Sequence, residues 1–426
     1  MPRRVAVIVS LLLGVLAVAG AWLASSLFQP PKRPKPAPIA LVDVPPLGGG
    51  RIDYRRLDQR LQRLVAEDEM AGLAVAVIEG GKIAFLKGYG ETVGNSGDKV
   101  TTKTVFRWAS VSKGLAATMV ADLAAQGKLS LGDPIAKWAP SLKLPGRGEY
   151  KATVTDVLSH RVGLPQNAYD ERLEDGYDAK QLRTSYAELE PTCTPGTCTA
   201  YQNVAFDAAS EIVERVTGLP YEAAVRVRLF GPLGMTNASV SRDGLVEAKS
   251  WARPHAGKGH ALEVPDAYYR VPAAGGVNSS IYDFALWLRA QMGGVPRVLS
   301  PELLDTIHRP RVATPVEQRR VRRFRDRLRD ARYGLGWRDY DYLGHHVVGH
   351  LGGVRGHRAL IMFDPQLRTG VAALWNSTSS QPVGLEMEVM DMVYGLPTED
   401  WLELDNPRRL AAAERSARRL QQSPRR

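Results

Sequence analysis

Cysteine is scarce in this chain of 426 residues: there are two, Cys193 and Cys198. Neither lies near the N-terminal apolar segment, which therefore carries no cysteine-linked lipid anchor. Phosphate-binding glycine loops and internal repeats are absent, which argues against P-loop enzymes and repeat arrays. No G-x-S-x-G segment occurs, which argues against the nucleophile elbow of the common esterase fold. Acidic residues are missing from positions 1 to 38, and residues 406–426 set seven arginines against Glu414 alone. These two ends account for the whole formal charge of +11 and leave a formally neutral body. Residues 309–332 concentrate ten arginines against Glu317, Asp326 and Asp330. Without a recognised nucleic-acid module these runs read as solvated basic faces, with an anionic membrane surface or cell-wall polymer as the alternative. No nucleic-acid partner is expected.

Residues 5–28 form an uncharged apolar run behind Arg3 and Arg4. It is longer than the apolar core of a signal peptide and long enough to span a bilayer. An uncleaved anchor with the body exported to the periplasm is the expectation. Cleavage after A-V-A (17–19) or A-G-A (19–21) is the alternative. The linker at 29–49, opening with Q-P-P-K-R-P-K-P-A-P, reads as a semi-rigid polyproline spacer. The body is expected over 50–400, and a basic tail over 401–426. An oxidising compartment would join Cys193 to Cys198 across a turn made by Pro195 and Gly196.

Within the body, Leu57, Leu61, Leu64 and Val65 predict a helix over 54–70, and G-L-A-V-A-V-I-E (72–79) with K-I-A-F-L-K-G-Y-G (82–90) predicts a hairpin about Gly80-Gly81. Residues 133 to about 270 read as mainly helical, with an insertion set at about 116–274. A helix over 281–291, strands at 358–364 and 370–376, and a helix over 382–395 complete the pattern. Strands, helices, strands in that order imply an α/β body whose sheet draws on both ends of the chain.

Three stretches carry chemistry. In the first, Leu115, Met119 and Leu123 recur every four residues up to Gly127, with Ser110 at the helix start and Lys113 on the same face. Unpaired N–H groups there would stabilise an oxyanion, and desolvation by Trp108, Val111 and Leu115 would bring Lys113 toward the neutral base needed to deprotonate Ser110. Alone, S-x-x-K is weak, and by itself it reads first as a helix cap with a solvated lysine. In the second, Tyr201 and Asn203 project to one side of an extended loop. A phenol whose pKa a lysine lowers could relay protons, and the amide could bind an acyl-amide group or hold Lys113; a turn with a buried tyrosine is the plainer alternative. The third, V-V-G-H-L-G-G-V-R-G-H (347–357), precedes a strand. Gly352 and Gly353 would let a substrate lie along the strand edge while His350 donates to its carbonyl or carboxylate. His345, His346, His350 and His357 match no metal-ligand spacing, and neither metal nor cofactor is expected.

With its S-x-x-K, Y-x-N and H-x-G motifs in that order, the chain resembles the serine β-lactamase and penicillin-binding-protein superfamily. The likeness is to its class C branch of β-lactamases, D-alanyl-D-alanine carboxypeptidases and esterases, over roughly residues 50–395. Stretches such as Q-G-K-L-S-L-G-D-P, L-S-H-R-V-G-L-P and Y-G-L-G-W belong to the same likeness. The resemblance implies an antiparallel sheet flanked by helices with an inserted helical domain. It also implies acylation of Ser110, acid and base work shared by Lys113 and Tyr201, substrate positioning by Asn203, and an oxyanion held by the N–H groups of Ser110 and a residue near Val354. The expected substrates are β-lactams or peptidoglycan-type D-Ala-D-Ala peptides. Ester hydrolysis and a catalytically silent cell-wall binding protein are the alternatives, and a monomer is expected. The glutamate used for deacylation in class A has no counterpart here. His350 replaces a lysine usual in class C β-lactamases. An unperturbed imidazole, mostly neutral at pH 7, would bind carboxylates better as pH falls toward about 6, with Arg355 supplying charge.

Overall fold

The computed structural model describes residues 52–406. The apolar segment at 5–28, the linker at 29–49 and the chain from 407 lie outside the described residues. Among the described residues no helix is long and apolar enough to cross a membrane.

Helix α1 (Tyr54–Ala66) is capped by Asp53, whose side chain accepts from the Arg56 N–H, and it ends at Glu67, a turn earlier than expected. Leu57, Leu61 and Leu64 are fully buried, each contributing roughly 1.5–3 kcal/mol relative to exposure. The hairpin β1 (Gly72–Glu79) and β2 (Lys82–Gly90) turns on Gly80 and Gly81, both at positive φ. Strand β3 (Val105–Arg107) leads to α2 (Ser112–Ala125). Short helices follow, including α3 (Val154–Leu158) and α4 (Ala208–Thr217), with Gly218 closing the latter at φ 69°. The insertion is not purely helical, since β4 (His255–Gly257) and β5 (His260–Ala261) form a hairpin within it. Strand β6 (Asn278–Ser280) pairs with β3 and runs into α5 (Ile281–Gln291).

The last third supplies β7 (Val312–Ala313), β8 (Leu328–Tyr333), β9 (Arg338–Tyr342), β10 (His345–Val354), β11 (His357–Asp364), β12 (Thr369–Trp375) and helix α6 (Leu385–Tyr394). The main sheet has the order β2-β1-β12-β11-β10-β9-β8-β7, and its pairings are antiparallel. Strand β1 sits between β2 and β12, with Leu73 opposite Trp375 and Val77 opposite Val371, so the sheet joins both ends of the chain. Leu73, Val75, Val77, Val371, Ala373 and Trp375 meet α1 and α6 in one apolar core. The alternate residues Ala74 and Ala76 face the other way, where their small size leaves room for α5 against β1 and β12.

Two boundaries shift. The third motif lies on β10 rather than ahead of a strand, because Gly349, Gly352 and Gly353 mask its strand propensity. The body also runs on past residue 400: Trp401, Leu402 and Leu404 are buried, with the Trp401 indole donating to Asp391.

Candidate active site

Ser110 lies in a 3-10 turn, Ala109–Val111, between β3 and α2, just ahead of the helix proper. Ala109 takes φ 49°, a left-handed conformation that costs on the order of 1 kcal/mol for a residue with a Cβ. Neighbours hold it there. The Trp108 N–H donates to the Val277 carbonyl, its indole donates to Ser279 Oγ, and its ring packs on Phe284 and Trp287 of α5. On the other side Gly352 of β10 lies so close that a Cβ there would come 2.1 Å from the Trp108 carbonyl oxygen. Helix α2 is buried on nearly every side, so Leu115, Met119 and Leu123 mark a central helix and not one apolar face.

Lys113 is 0% exposed. Its Nζ lies 3.4 Å from Ser110 Oγ, 2.6 Å from Asn203 Oδ1 and 2.9 Å from the Ala274 carbonyl oxygen. The rings of Tyr201 and Phe206 stand over the amine at 4.7 and 5.5 Å. Trp108 points away toward α5, so these two rings take the shielding role expected of it. Burial lowers the Lys113 pKa from 10.5 to about 7; Asp170 and Asp207 oppose this and Arg338 adds to it.

Asn203 spends both ends of its amide inside the protein. Oδ1 accepts from Lys113 and Nδ2 donates to Asp170 Oδ2 at 2.6 Å. It therefore holds the lysine, and one amide N–H remains beyond the bond to Asp170. Tyr201 lines the cleft with Ser110, whose hydroxyl stands beside its own buried one. The expected lowering of the phenol does not occur. Burial raises it to about 12 despite Arg338 and the adjacent Ser110, so Tyr201 keeps its proton at neutral pH.

His350 is 2% exposed and both ring nitrogens are engaged. The Gln202 N–H donates to His160 Nδ1, so His160 must carry its proton on Nε2 and donate it to the Tyr333 hydroxyl. Tyr333 then donates to His350 Nε2 at 3.0 Å, and His350 Nδ1–H donates to the Leu351 carbonyl at 2.7 Å. Backbone groups fix the tautomers at both ends of this chain, and His350 has no N–H left for a substrate. Burial first, then Arg338 and Lys113, holds His350 well below the ordinary imidazole range. It stays neutral at pH 6, and the expected gain in carboxylate binding on acidification has no basis in this residue.

A cleft of about 280 Å³ opens above Ser110. Gly352 and Gly353 line it, while Val354 and Arg355 do not. Val354 pairs with His357 at the strand end, and Arg355 is exposed in the turn to β11. The cleft's arginines are Arg320, Arg338 and Arg358, which the sequence reading missed. Arg338 pairs with Glu317 at 3.2 Å, and Arg320 reaches the same carboxylate at 4.0 Å. Arg358 stands opposite Gly353 and donates to the Thr378 carbonyl; burial alone lowers its pKa, and among the described residues no carboxylate pairs with it. Glu317, Arg320 and Phe324 bring part of the arginine-rich stretch into the cleft wall, so that stretch is not merely a solvated face. Cys193 and Cys198 are joined in a disulfide. Among the described residues no group of three or more His, Cys, Asp or Glu side chains could hold a metal.

The family model described as Beta-lactamase matches residues 57–389. An unguisins hydrolase, UngD, of Aspergillus violaceofuscus is 27% identical over 390 residues, covering 82% of this chain and 67% of that protein. Esterase EstB of Burkholderia gladioli is 30% identical over 197 residues, 42% of this chain and 50% of the esterase. The chain spans about half to two thirds of the length of the curated relatives it matches. Among solved structures, the octameric penicillin-binding protein homologue from Pyrococcus abyssi superposes with a TM-score of 0.73 at 25% identity, over 83% of this chain and 80% of that one. A family model spanning most of the chain, with the antiparallel sheet, places this protein in the beta-lactamase family of serine hydrolases, within the β-lactamase and penicillin-binding-protein superfamily.

Proposed function

We propose that this chain is a serine acyl-hydrolase that forms an acyl-enzyme on Ser110 and acts on small acyl compounds bearing a carboxylate, of the β-lactam or D-Ala-D-Ala peptide kind. The observation that carries this reading is Lys113, a fully buried amine poised near neutrality and 3.4 Å from Ser110 Oγ. Neutral Lys113 takes the Ser110 proton as Oγ attacks the carbonyl carbon. The N–H groups of Ser110 and of Gly353, in place of Val354, hold the oxyanion. Lys113 and the protonated Tyr201 then deliver a proton to the departing nitrogen or oxygen. Water attacks the acyl ester, gives its proton to the same pair, and Ser110 regains its own. Arg358 takes the carboxylate-anchoring part expected of Arg355, since its charge lies in the cleft without an acidic partner among the described residues.

A second reading is hydrolysis of neutral carboxylic esters. The neutral, fully engaged His350 favours it, because this position contributes no charge toward a carboxylate. Export with an anchor at residues 5–28 remains part of the proposal, supported by the apolar run behind two arginines and by the disulfide. Labelling with a fluorescent penicillin and with a fluorophosphonate, on wild type and Ser110→Ala, tests the nucleophile. Loss of both labels in the variant is expected, and undiminished labelling removes Ser110 from the role. Turnover of a cephalosporin, a D-Ala-D-Ala peptide and a short-chain p-nitrophenyl ester then separates the readings.

A further inference from the structure

We propose that Asp170 is a positioning residue that fixes the side-chain amide of Asn203 so that the lone pair of neutral Lys113 points at Ser110 Oγ. This rests on the acyl-enzyme reading above. A neutral lysine has two N–H bonds and one lone pair, and Nζ has three close oxygens: Asn203 Oδ1 at 2.6 Å, the Ala274 carbonyl at 2.9 Å and Ser110 Oγ at 3.4 Å. Two of these are acceptors only, so they take the two protons and leave the lone pair for the Ser110 hydroxyl. That holds only while Asn203 presents its oxygen to the lysine. Turned over, the amide would offer N–H groups that compete with Ser110 for the same lone pair. The carboxylate of Asp170 decides the matter, because an ionised carboxylate accepts only and must face Nδ2, which it does at 2.6 Å. The Ala274 carbonyl is held separately, through the neighbouring Ala273 N–H bonded to Asp207 Oδ1 at 2.9 Å.

Asp170 also acts through its charge. The charged groups felt by Lys113 are Asp170 and Asp207, which favour its protonated form, and Arg338, which disfavours it. The two histidines beside it, His160 and His350, are held neutral by burial first. Asp170 itself sits among Asn203, Lys113, Glu174, Tyr186 and Tyr268, and burial raises it to about 6, so it is mostly ionised where Lys113 works. Its second oxygen is buried without a partner among the described residues. Replacing the carboxylate by an amide should thus lower the Lys113 pKa and, since an amide both donates and accepts, should also leave the orientation of Asn203 undecided.

The test reads the second-order rate of Ser110 labelling by a fluorophosphonate from pH 5 to 9, which needs no knowledge of the natural substrate. In wild type the rate should fall below about pH 7. Asp170→Asn should lower the alkaline plateau roughly tenfold and also move the acid limb to lower pH. Asp170→Glu, which keeps the charge and the acceptor, should restore the limb and much of the plateau. A lesion of packing alone would lower the rate at every pH without moving the limb. Folded Asp170→Asn with wild-type plateau and limb overturns the proposal and leaves the acyl-enzyme reading standing. Wild-type protein that labels no better than Ser110→Ala overturns both.

Discussion

Lys113 does at the residue scale what a free lysine cannot: at a pKa of about 7 it is substantially unprotonated at neutral pH. The acid form is inactive as a base, so kcat/KM should fall as pH drops through about 7 and flatten above it, which a pH–rate profile checks. His350 is held neutral well below its usual range, so no compensating rise in carboxylate binding should appear near pH 6. A KM for a carboxylate substrate that tightens on acidification would refute that. Ser110→Ala should abolish turnover with a melting temperature close to wild type, since it removes one oxygen from a turn held by Trp108 and Gly352. Tyr201→Phe should lower acylation, and its combination with Lys113→Ala should cost less than the two separate losses, because the pair works as a unit. The motif residues Ser110, Lys113, Tyr201 and Asn203 were legible from order and spacing. Asp170 was not, because nothing local to A-Y-D-E marks a carboxylate that reaches residue 203 only through the fold.

At the scale of elements, strand β10 and the turn carrying Ser110 are pressed together at one glycine. Gly352→Ala should lose activity and roughly 1–3 kcal/mol of stability, because its Cβ would sit 2.1 Å from a backbone oxygen that cannot move aside. Gly353→Ala is the control: its Cβ would meet the end of the Arg358 side chain at 3.2 Å, and that side chain can shift. Denaturant titration should separate the two variants, and equal losses would mean that the close approach is not what ties strand to nucleophile. The β10–β11 hairpin also decides which arginine lines the cleft. Arg358→Ala should weaken capture of carboxylate substrates several-fold while sparing neutral esters, and Arg355→Ala should leave both within about twofold. Equal effects of Arg358→Ala on both substrate types would remove the anchor. The sequence placed an arginine just past the third motif, but only the register, with Gly353 opposite Arg358 and the turn at Arg355 and Gly356, shows which one returns to the cleft.

At the scale of the whole molecule, early and late segments of the described residues complete one sheet and its core. Beyond β1 between β2 and β12, Arg60 of α1 pairs with Asp400, and with Glu388 in a buried bond, while Trp401, Leu402 and Leu404 complete the core beneath α6. Ending the chain after Asp400 should cost on the order of 5 kcal/mol from those three side chains, lowering the melting temperature sharply; an unchanged melt would show that the segment contributes little. By itself the sequence determined the hairpin at 72–90, the α/β order and the three motifs, because these rest on local periodicity, turn chemistry and residue identity. Tertiary structure alone decided the protonation states and the outward-facing contacts. A pKa depends on how much water and which charges surround a group; beyond burial, the charges are Asp170, Arg338 and Asp207 for Lys113, and Arg338 and Lys113 for His350, and they come from segments far apart in the chain. For the same reason an H-x-G motif that reads as a substrate donor became, once His160 and Tyr333 were packed against it, the closed end of an internal hydrogen-bond chain.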